Sequence, residues 1–236
     1  MISSKIQKAT LTVVSVLCVI AVAFGIYNKT TFNTITRDKN AFDNAKLDDY
    51  SFTMDADNEY NENIDFSILN NDLESADTVL VCTVKEMSNQ YECLKYYLTV
   101  DKVVKGNTVN AGEEIVFYEY SHFIINDNNE LQYFKTANNN YPLIESKQYL
   151  IFANQMQYEE EYAKTLEKKE FRISDAKIST FCIDDAEVKY FSPNVKTFKE
   201  VKEFEYICFS EKGAENLTQL KQDVLDYYLY NNDNKT

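Results

Sequence analysis

The chain has 236 residues, with 38 Asp and Glu against 24 Lys and Arg, 18 Tyr, a single His and no Trp. All the acidic residues but only 22 of the basic ones follow residue 27, so that portion carries a net charge of −16. Such a surface repels phosphate polymers and anionic lipid headgroups, which excludes nucleic acid as a partner.

Lys5 and Lys8 precede an uncharged run from Ala9 to Tyr27, rich in Val, Leu, Ile and Ala. As a helix it spans roughly 28 Å, close to the ~30 Å hydrocarbon core of a bilayer. Positive charge before the run places the N-terminus in the cytoplasm and the bulk of the chain outside the membrane. The reading is a single-pass protein: residues 1–8 cytoplasmic, 9–27 a transmembrane helix, the remainder extracytoplasmic. Ala21-Val22-Ala23 keeps a second reading open, a signal peptide cut after Ala23 and a secreted product. Phe24, Ile26 and Tyr27 prolong the apolar segment past that site and favour the anchor. Cys18, within the run, follows Leu17, not the small residue that lipid attachment requires, and reads as a small hydrophobe.

Residues 28–63 are rich in Asn, Asp, Lys and Thr without apolar period, and read as a flexible acidic stalk. Asp55-Ala56-Asp57-Asn58-Glu59 hints at a calcium loop, but Tyr60 and Phe66 stand where such a loop needs Gly and Glu. Ile64, Ile68, Leu69 and Leu73 predict a helix over about 65–75, with Asp65 as a cap. Strands follow at 78–84, at 92–104 with Leu94, Tyr96, Leu98 and Val100 on one face, and at 115–120. The first two are joined by a turn near Met87–Gln90, and Lys102 marks a bulge in the second. Asn126–Asn129 and Asn138–Asn140 read as loop tips, with strands at 131–134 and 149–153.

The order "TVLVCTV", "YYLTVDKVVKG", "GEEIVFYEY" and "KQYLIFAN" resembles the small β-barrels of the tissue-inhibitor-of-metalloproteinase and netrin-module type, found also in bacterial exported proteins. The resemblance covers residues 64–155, with Cys82 where a Gly is common and Lys147-Gln148 replacing the Gly before the last strand. It implies an OB-like barrel, a sheet closed on itself. It does not carry over protease inhibition, which uses a free N-terminal cysteine that this chain does not present.

Residues 156–170 are charged and read as a loop or short exposed helix. Strands at 177–183, 187–191 and 203–209 follow, broken by Ser192-Pro193-Asn194. A helix over 211–229, capped by Ser210, places Ala214, Leu217, Leu220, Lys221, Val224 and Tyr228 on one face. The expected fold is mainly β: an OB-like barrel (64–155) with a β extension and C-terminal helix (156–236) packed on it, behind the transmembrane helix.

Cys82, Cys93, Cys182 and Cys208 allow two disulfides in three connectivities, with Cys82–Cys93 across the first hairpin and Cys182–Cys208 between later strands as one arrangement. Four buried thiols are the alternative. No C-x-x-C motif exists and His122 is the only imidazole, so neither a zinc site nor a Ser–His or Cys–His pair is indicated. Four glycines, Gly25, Gly106, Gly112 and Gly213, cannot form a nucleotide-binding loop. No catalytic residue, metal ligand or cofactor is therefore named.

The reading is a non-catalytic, membrane-tethered binding module for a protein, peptide or cell-envelope polymer, with Tyr- and Phe-rich surface as the contact. An accessory subunit of an envelope complex, and an enzyme using carboxylates without a recognisable motif, are the alternatives. A solvent-facing aromatic cluster on the barrel would favour the first, an apolar patch on the C-terminal helix the second, two carboxylates in one cleft the third.

Overall fold

The computed structural model describes residues 13–15, 17–22, 47–54, 66–90, 93–126, 128, 130–134, 141–190, 196–208 and 210–230. Residues 13–15 and 17–22, within the apolar run, are helical and exposed. Among the described residues no helix is long and apolar enough to cross a membrane. The Asp55–Glu59 segment, the Asp65 cap, the Asn138–Asn140 tip and the Ser192–Asn194 break lie outside the described residues.

A 3-10 turn, Leu47–Asp49, leads into β1 (Ser51–Met54), followed by α1 (Phe66–Glu74), β2 (Thr78–Asn89), β3 (Leu94–Lys105) and β4 (Glu114–Glu119). Next come β5 (His122–Ile125), β6 (Leu131–Phe134), β7 (Gln148–Gln155), α2 (Glu160–Ala163), β8 (Lys169–Ile173) and β9 (Thr180–Cys182). The chain continues through β10 (Glu187–Tyr190), β11 (Lys196–Thr197), α3 (Phe198–Val201), β12 (Phe204–Cys208) and α4 (Glu211–Leu225), whose last turn widens into a π-helix, Asp226–Tyr230.

Five of these strands close a barrel. β2 pairs antiparallel with β3 and β3 with β4, β4 runs parallel to β8, β8 pairs antiparallel with β7, and β7 returns antiparallel to β2. The alternation expected in β3 holds: Leu94, Tyr96, Leu98 and Val100 are buried inside, where they join Ile115 and Phe117 of β4 and Phe171 and Ile173 of β8 in one core. Closure removes the sheet edges that would otherwise stay unpaired. β3 carries irregularities where Asp101 and Val104 are skipped in the pairing with β2, flanking the expected bulge at Lys102. They increase local twist, which a five-stranded closure needs.

Gly106 ends β3 at φ +98°, and a Cβ there would meet Thr78 Oγ1 at 3.1 Å and the Asp77 carbonyl oxygen at 3.2 Å. Both the backbone conformation and the space call for glycine. One residue earlier, the Lys105 ammonium donates to the carbonyls of Glu74 and Ala76, each at 2.7 Å, satisfying orphan acceptors at the C-terminal end of α1.

Three expectations are corrected. The first hairpin does not turn at Met87–Gln90. β2 runs on to Asn89, which lies opposite Leu94, while Met87 lies opposite Tyr96. A skipped residue, Lys85, lets the strand continue, and the Asn89 side chain then pins its end. Its amide donates to the Phe123 carbonyl at 3.0 Å and accepts from the Phe123 N–H at 2.8 Å, in the manner of a paired strand residue. Second, the folded region begins before residue 63. Phe52 of β1 is 3% exposed, β1 pairs parallel with β6 and antiparallel with β11, and Phe52 packs on Phe198 at 5.9 Å. Third, the barrel does not end at residue 155: β8, at 169–173, supplies its fifth strand, whereas β5 and β6 leave it to form a separate sheet in the order β11-β1-β6-β5.

β10 and β12 form a parallel pair, and α4 lies against both. Ser210 caps α4 by accepting from the Gly213 N–H at 3.0 Å, and Leu217, Leu220 and Val224 are buried as the helical spacing predicts. Tyr228 reaches the barrel, edge-on to Phe152 of β7 at 4.8 Å, and its hydroxyl donates to Asn70 of α1 at 2.9 Å. Phe152 also meets Phe181 of β9 edge-on. The outer face of β7 is thus covered.

Candidate ligand-binding face

The barrel wall formed by β3, β4 and β8 differs from the covered one. Period-two alternation aims Lys95 and Tyr97 of β3, Tyr118 of β4, and Glu170 and Arg172 of β8 outward, and all are half-buried. Register brings them together, with Lys95 opposite Tyr118 and Tyr118 opposite Arg172. The connection from β7 to β8, which carries α2, adds Tyr158, Tyr162 and Lys168.

Glu170 organises the phenols. One carboxylate oxygen accepts from the Tyr118 hydroxyl at 3.1 Å, the other from the Tyr158 hydroxyl at 2.5 Å. Burial, and then the neighbouring carboxylate, push both phenols well above their ordinary range, so they stay protonated donors. Tyr158 and Tyr162 stack edge-on at 5.1 Å. Tyr120, just beyond β4, is 43% exposed and Tyr162 is 53% exposed. The Lys95 ammonium lies 5.1 Å from the Tyr97 ring centre and 5.7 Å from that of Tyr118, and Lys168 lies 5.3 Å from Tyr97.

The wall's other cations are neutralised locally. Lys168 pairs with Glu114 at 2.5 Å, Lys169 with Glu113 at 2.9 Å and Arg172 with Asp175 at 2.8 Å. These exposed pairs contribute little to stability. What they do is balance charge: the hydrogen bond from Lys168 holds the Glu114 carboxyl below its usual range, and that from Lys169 does the same for Glu113.

A concavity of about 750 Å³ lies between β1, α3 and the Tyr141–Glu145 segment. Phe52, Phe123 and Phe198 form its aromatic side, with Asp48, paired to Lys202 at 2.9 Å, at its edge. The Tyr141–Glu145 segment is held from below by core tyrosines: the Leu143 and Ile144 N–H groups donate to the hydroxyls of Tyr96 and Tyr149. Tyr96 and Tyr133 in turn donate to Glu119, a carboxylate buried at the end of β4. Tyrosine thus serves inside the core as well as on the outer wall.

The cysteines are placed as follows. Cys82 lies opposite Val100, and Cys93 sits at the hairpin turn, so the long β2–β3 ladder separates the two expected to pair. Cys82 and Cys182 flank Tyr149 from opposite sides. Two strand spacings of ~4.8 Å put their backbones beyond the ~7 Å reach of a disulfide. Both are buried free thiols. Burial pushes Cys182 up to about 11 and Cys82 higher still, which leaves them unreactive. The Cys208 side chain lies outside the described residues, and its strand β12 pairs with β10, not with the β9 that carries Cys182. His122 opens β5, in the small sheet and off the barrel. No group of three His, Cys, Asp or Glu among the described residues can hold a metal ion.

None of the five wall tyrosines is singled out by a sequence motif. The available signal was Tyr97 alternating with the inward Tyr96, and Tyr118 with the inward Phe117. Fold and site together define a closed five-stranded barrel with one helix-covered side and one tyrosine-bearing wall. No protein-family model matches the chain, and none of the curated proteins compared with it matches.

Proposed function

We propose that this chain is a non-catalytic, membrane-tethered extracytoplasmic binding module whose contact surface is the tyrosine wall of β3, β4 and β8. Residues 9–27 are the tether. The barrel is of the OB type, in keeping with the inhibitor/netrin resemblance; the strand order β2-β3-β4-β8-β7 and the parallel β4–β8 pair support this. In that counting β3 and β4 are the second and third strands, and β7–β8 is the fourth connection, the places where OB barrels take their ligands.

The observation that carries the proposal is the cluster of Tyr97, Tyr118, Tyr120, Tyr158 and Tyr162 on the side of the barrel away from α4. Tyrosine combines large contact area with a polar tip and few rotatable bonds, so it anchors ligands at low entropic cost. The two alternatives draw less support. The apolar face of α4 is spent on the chain's own barrel and β10–β12 pair, which leaves Tyr227 and Tyr230 in its π-helical end as the exposed aromatics there. Glu119 and Glu205, both buried, are engaged by Tyr96 and Tyr133 in one case and by Lys221 in the other, and they do not face each other in a cleft.

The test is in-cell photo-crosslinking of the full chain with a photoreactive residue at position 120 or 162, and at 212 on the exposed side of α4 as control. Capture from 120 and 162 but not from 212 is expected. Equal capture from all three positions, or none from the wall, refutes the assignment. Mass analysis of the N-terminus of the mature protein decides between tether and cleavage after Ala23.

A further inference from the structure

We infer that the tyrosine wall binds an uncharged polysaccharide, a chain of hexose or N-acetylhexosamine units laid across β3, β4 and β8. The inference rests on the binding-module reading above and names its ligand class.

Four features of the wall converge. Its accessible rings, Tyr120 and Tyr162, lie beside hydroxyl, carboxylate and ammonium groups. That combination suits a pyranose, which offers an apolar C–H face ringed by hydroxyls. The charges of Lys168, Lys169 and Arg172 are already matched by Glu114, Glu113 and Asp175. A charged ligand would find one wall cation not matched in this way, Lys95 between the Tyr97 and Tyr118 rings, and would otherwise have to break existing pairs. The −16 carried by the chain after residue 27 opposes acidic polymers. This separates a neutral glycan from single-stranded nucleic acid, which also stacks on aromatic platforms but needs a basic groove.

Shape gives the fourth feature. The wall is an open sheet surface, and the six residues of β4 run about 20 Å, which suits an extended chain better than an enclosed small molecule. A protein partner would call for an apolar centre inside a polar rim. Here the centre is the Tyr118–Glu170–Tyr158 hydrogen-bond network, and Val116 beneath it is buried. Glu170 keeps the hydroxyls of Tyr118 and Tyr158 occupied, so contact with the ligand falls on the exposed rings of Tyr120 and Tyr162.

The experiment titrates the full chain in detergent micelles with the tetrasaccharides of N-acetylglucosamine, of β-linked glucose and of mannose, followed by calorimetry and tyrosine fluorescence. At least one is expected to bind. Tyr120→Ala and Tyr162→Ala each then weaken binding about tenfold, while Tyr162→Phe stays within about twofold because the ring face survives. Raising salt from about 50 to about 500 mM leaves the affinity unchanged, since no charge is being screened. Both positions are exposed, so the substitutions leave the core intact, and unchanged far-ultraviolet dichroism confirms it. Binding by none of the three sugars, insensitivity to both alanine variants, or a steep loss with salt overturns the inference. If no sugar binds while the crosslinker at 162 captures a protein, the glycan assignment falls and the binding-module reading stands. If neither happens, both fall.

Discussion

Glu205 offers the sharpest energetic test of this architecture. Its carboxylate is 2% exposed. It accepts from the Cys182 N–H at 2.6 Å and from the Lys221 ammonium at 2.5 Å, joining β9, β12 and α4. Burial raises its pKa to about 7 from 4.5, against the opposing pull of Lys221. A folded pKa above the unfolded one means that the native state holds the proton more tightly. The stabilisation is therefore complete below pH 4.5 and is lost as pH rises through about 7. At roughly 1.4 kcal/mol per unit the loss is about 3 kcal/mol.

Glu205→Gln keeps an acceptor for the Cys182 N–H and removes the titration. Its stability relative to wild type should climb by about 3 kcal/mol between pH 4.5 and pH 7 and then level off. Lys221→Met acts in the opposite sense: at pH 8 it strands a buried anion, costing about 3–5 kcal/mol, and the cost shrinks at pH 5, where Glu205 is protonated. Urea unfolding followed by far-ultraviolet dichroism at several pH values measures both. A Glu205→Gln difference that is flat with pH, or a Lys221→Met cost larger at pH 5 than at pH 8, would refute the linkage.

Three further substitutions test features of the fold, the last two of them corrected ones. Lys105→Met removes the two bonds to the Glu74 and Ala76 carbonyls and should cost about 1–3 kcal/mol, with amide exchange accelerating in the last turn of α1 first. Asn89→Ala leaves the buried Phe123 N–H without its side-chain acceptor and should cost about 2–4 kcal/mol; a loss below about 0.5 kcal/mol would mean that another group pins the end of β2. Phe52→Ala opens a cavity against Phe198 and should cost about 3–5 kcal/mol, whereas a neutral outcome in urea unfolding would return residues 51–54 to the stalk.

Local patterns were reliable where they were long and one-sided. β3 spoke through its alternation, α1 and α4 through helical spacing, and Ser210 through its capping chemistry, because each depends on neighbours a few residues away. The hairpin turn is not legible in the sequence because Asn89 is held by Phe123, 34 positions on. Phe52 carries no local signal because a four-residue strand among Asn and Asp shows no period until β6 and β11 pair with it. β8 carries Lys169, Glu170 and Arg172 and reads as charged surface; its inward Phe171 and Ile173 gain meaning only beside β4.

The candidate site divides in the same way. Sequence by itself determined the acidic net charge, the apolar run, the inward face of β3 and the excess of tyrosine. Which tyrosines face solvent was decided by tertiary structure alone. Tyr96, Tyr133, Tyr149 and Tyr206 are core residues, while Tyr97, Tyr118, Tyr120, Tyr158 and Tyr162 share a wall. The physical reason is that a strand's alternation assigns a side chain to a face, but only barrel closure and the placement of α4 determine which outer face stays open to a ligand.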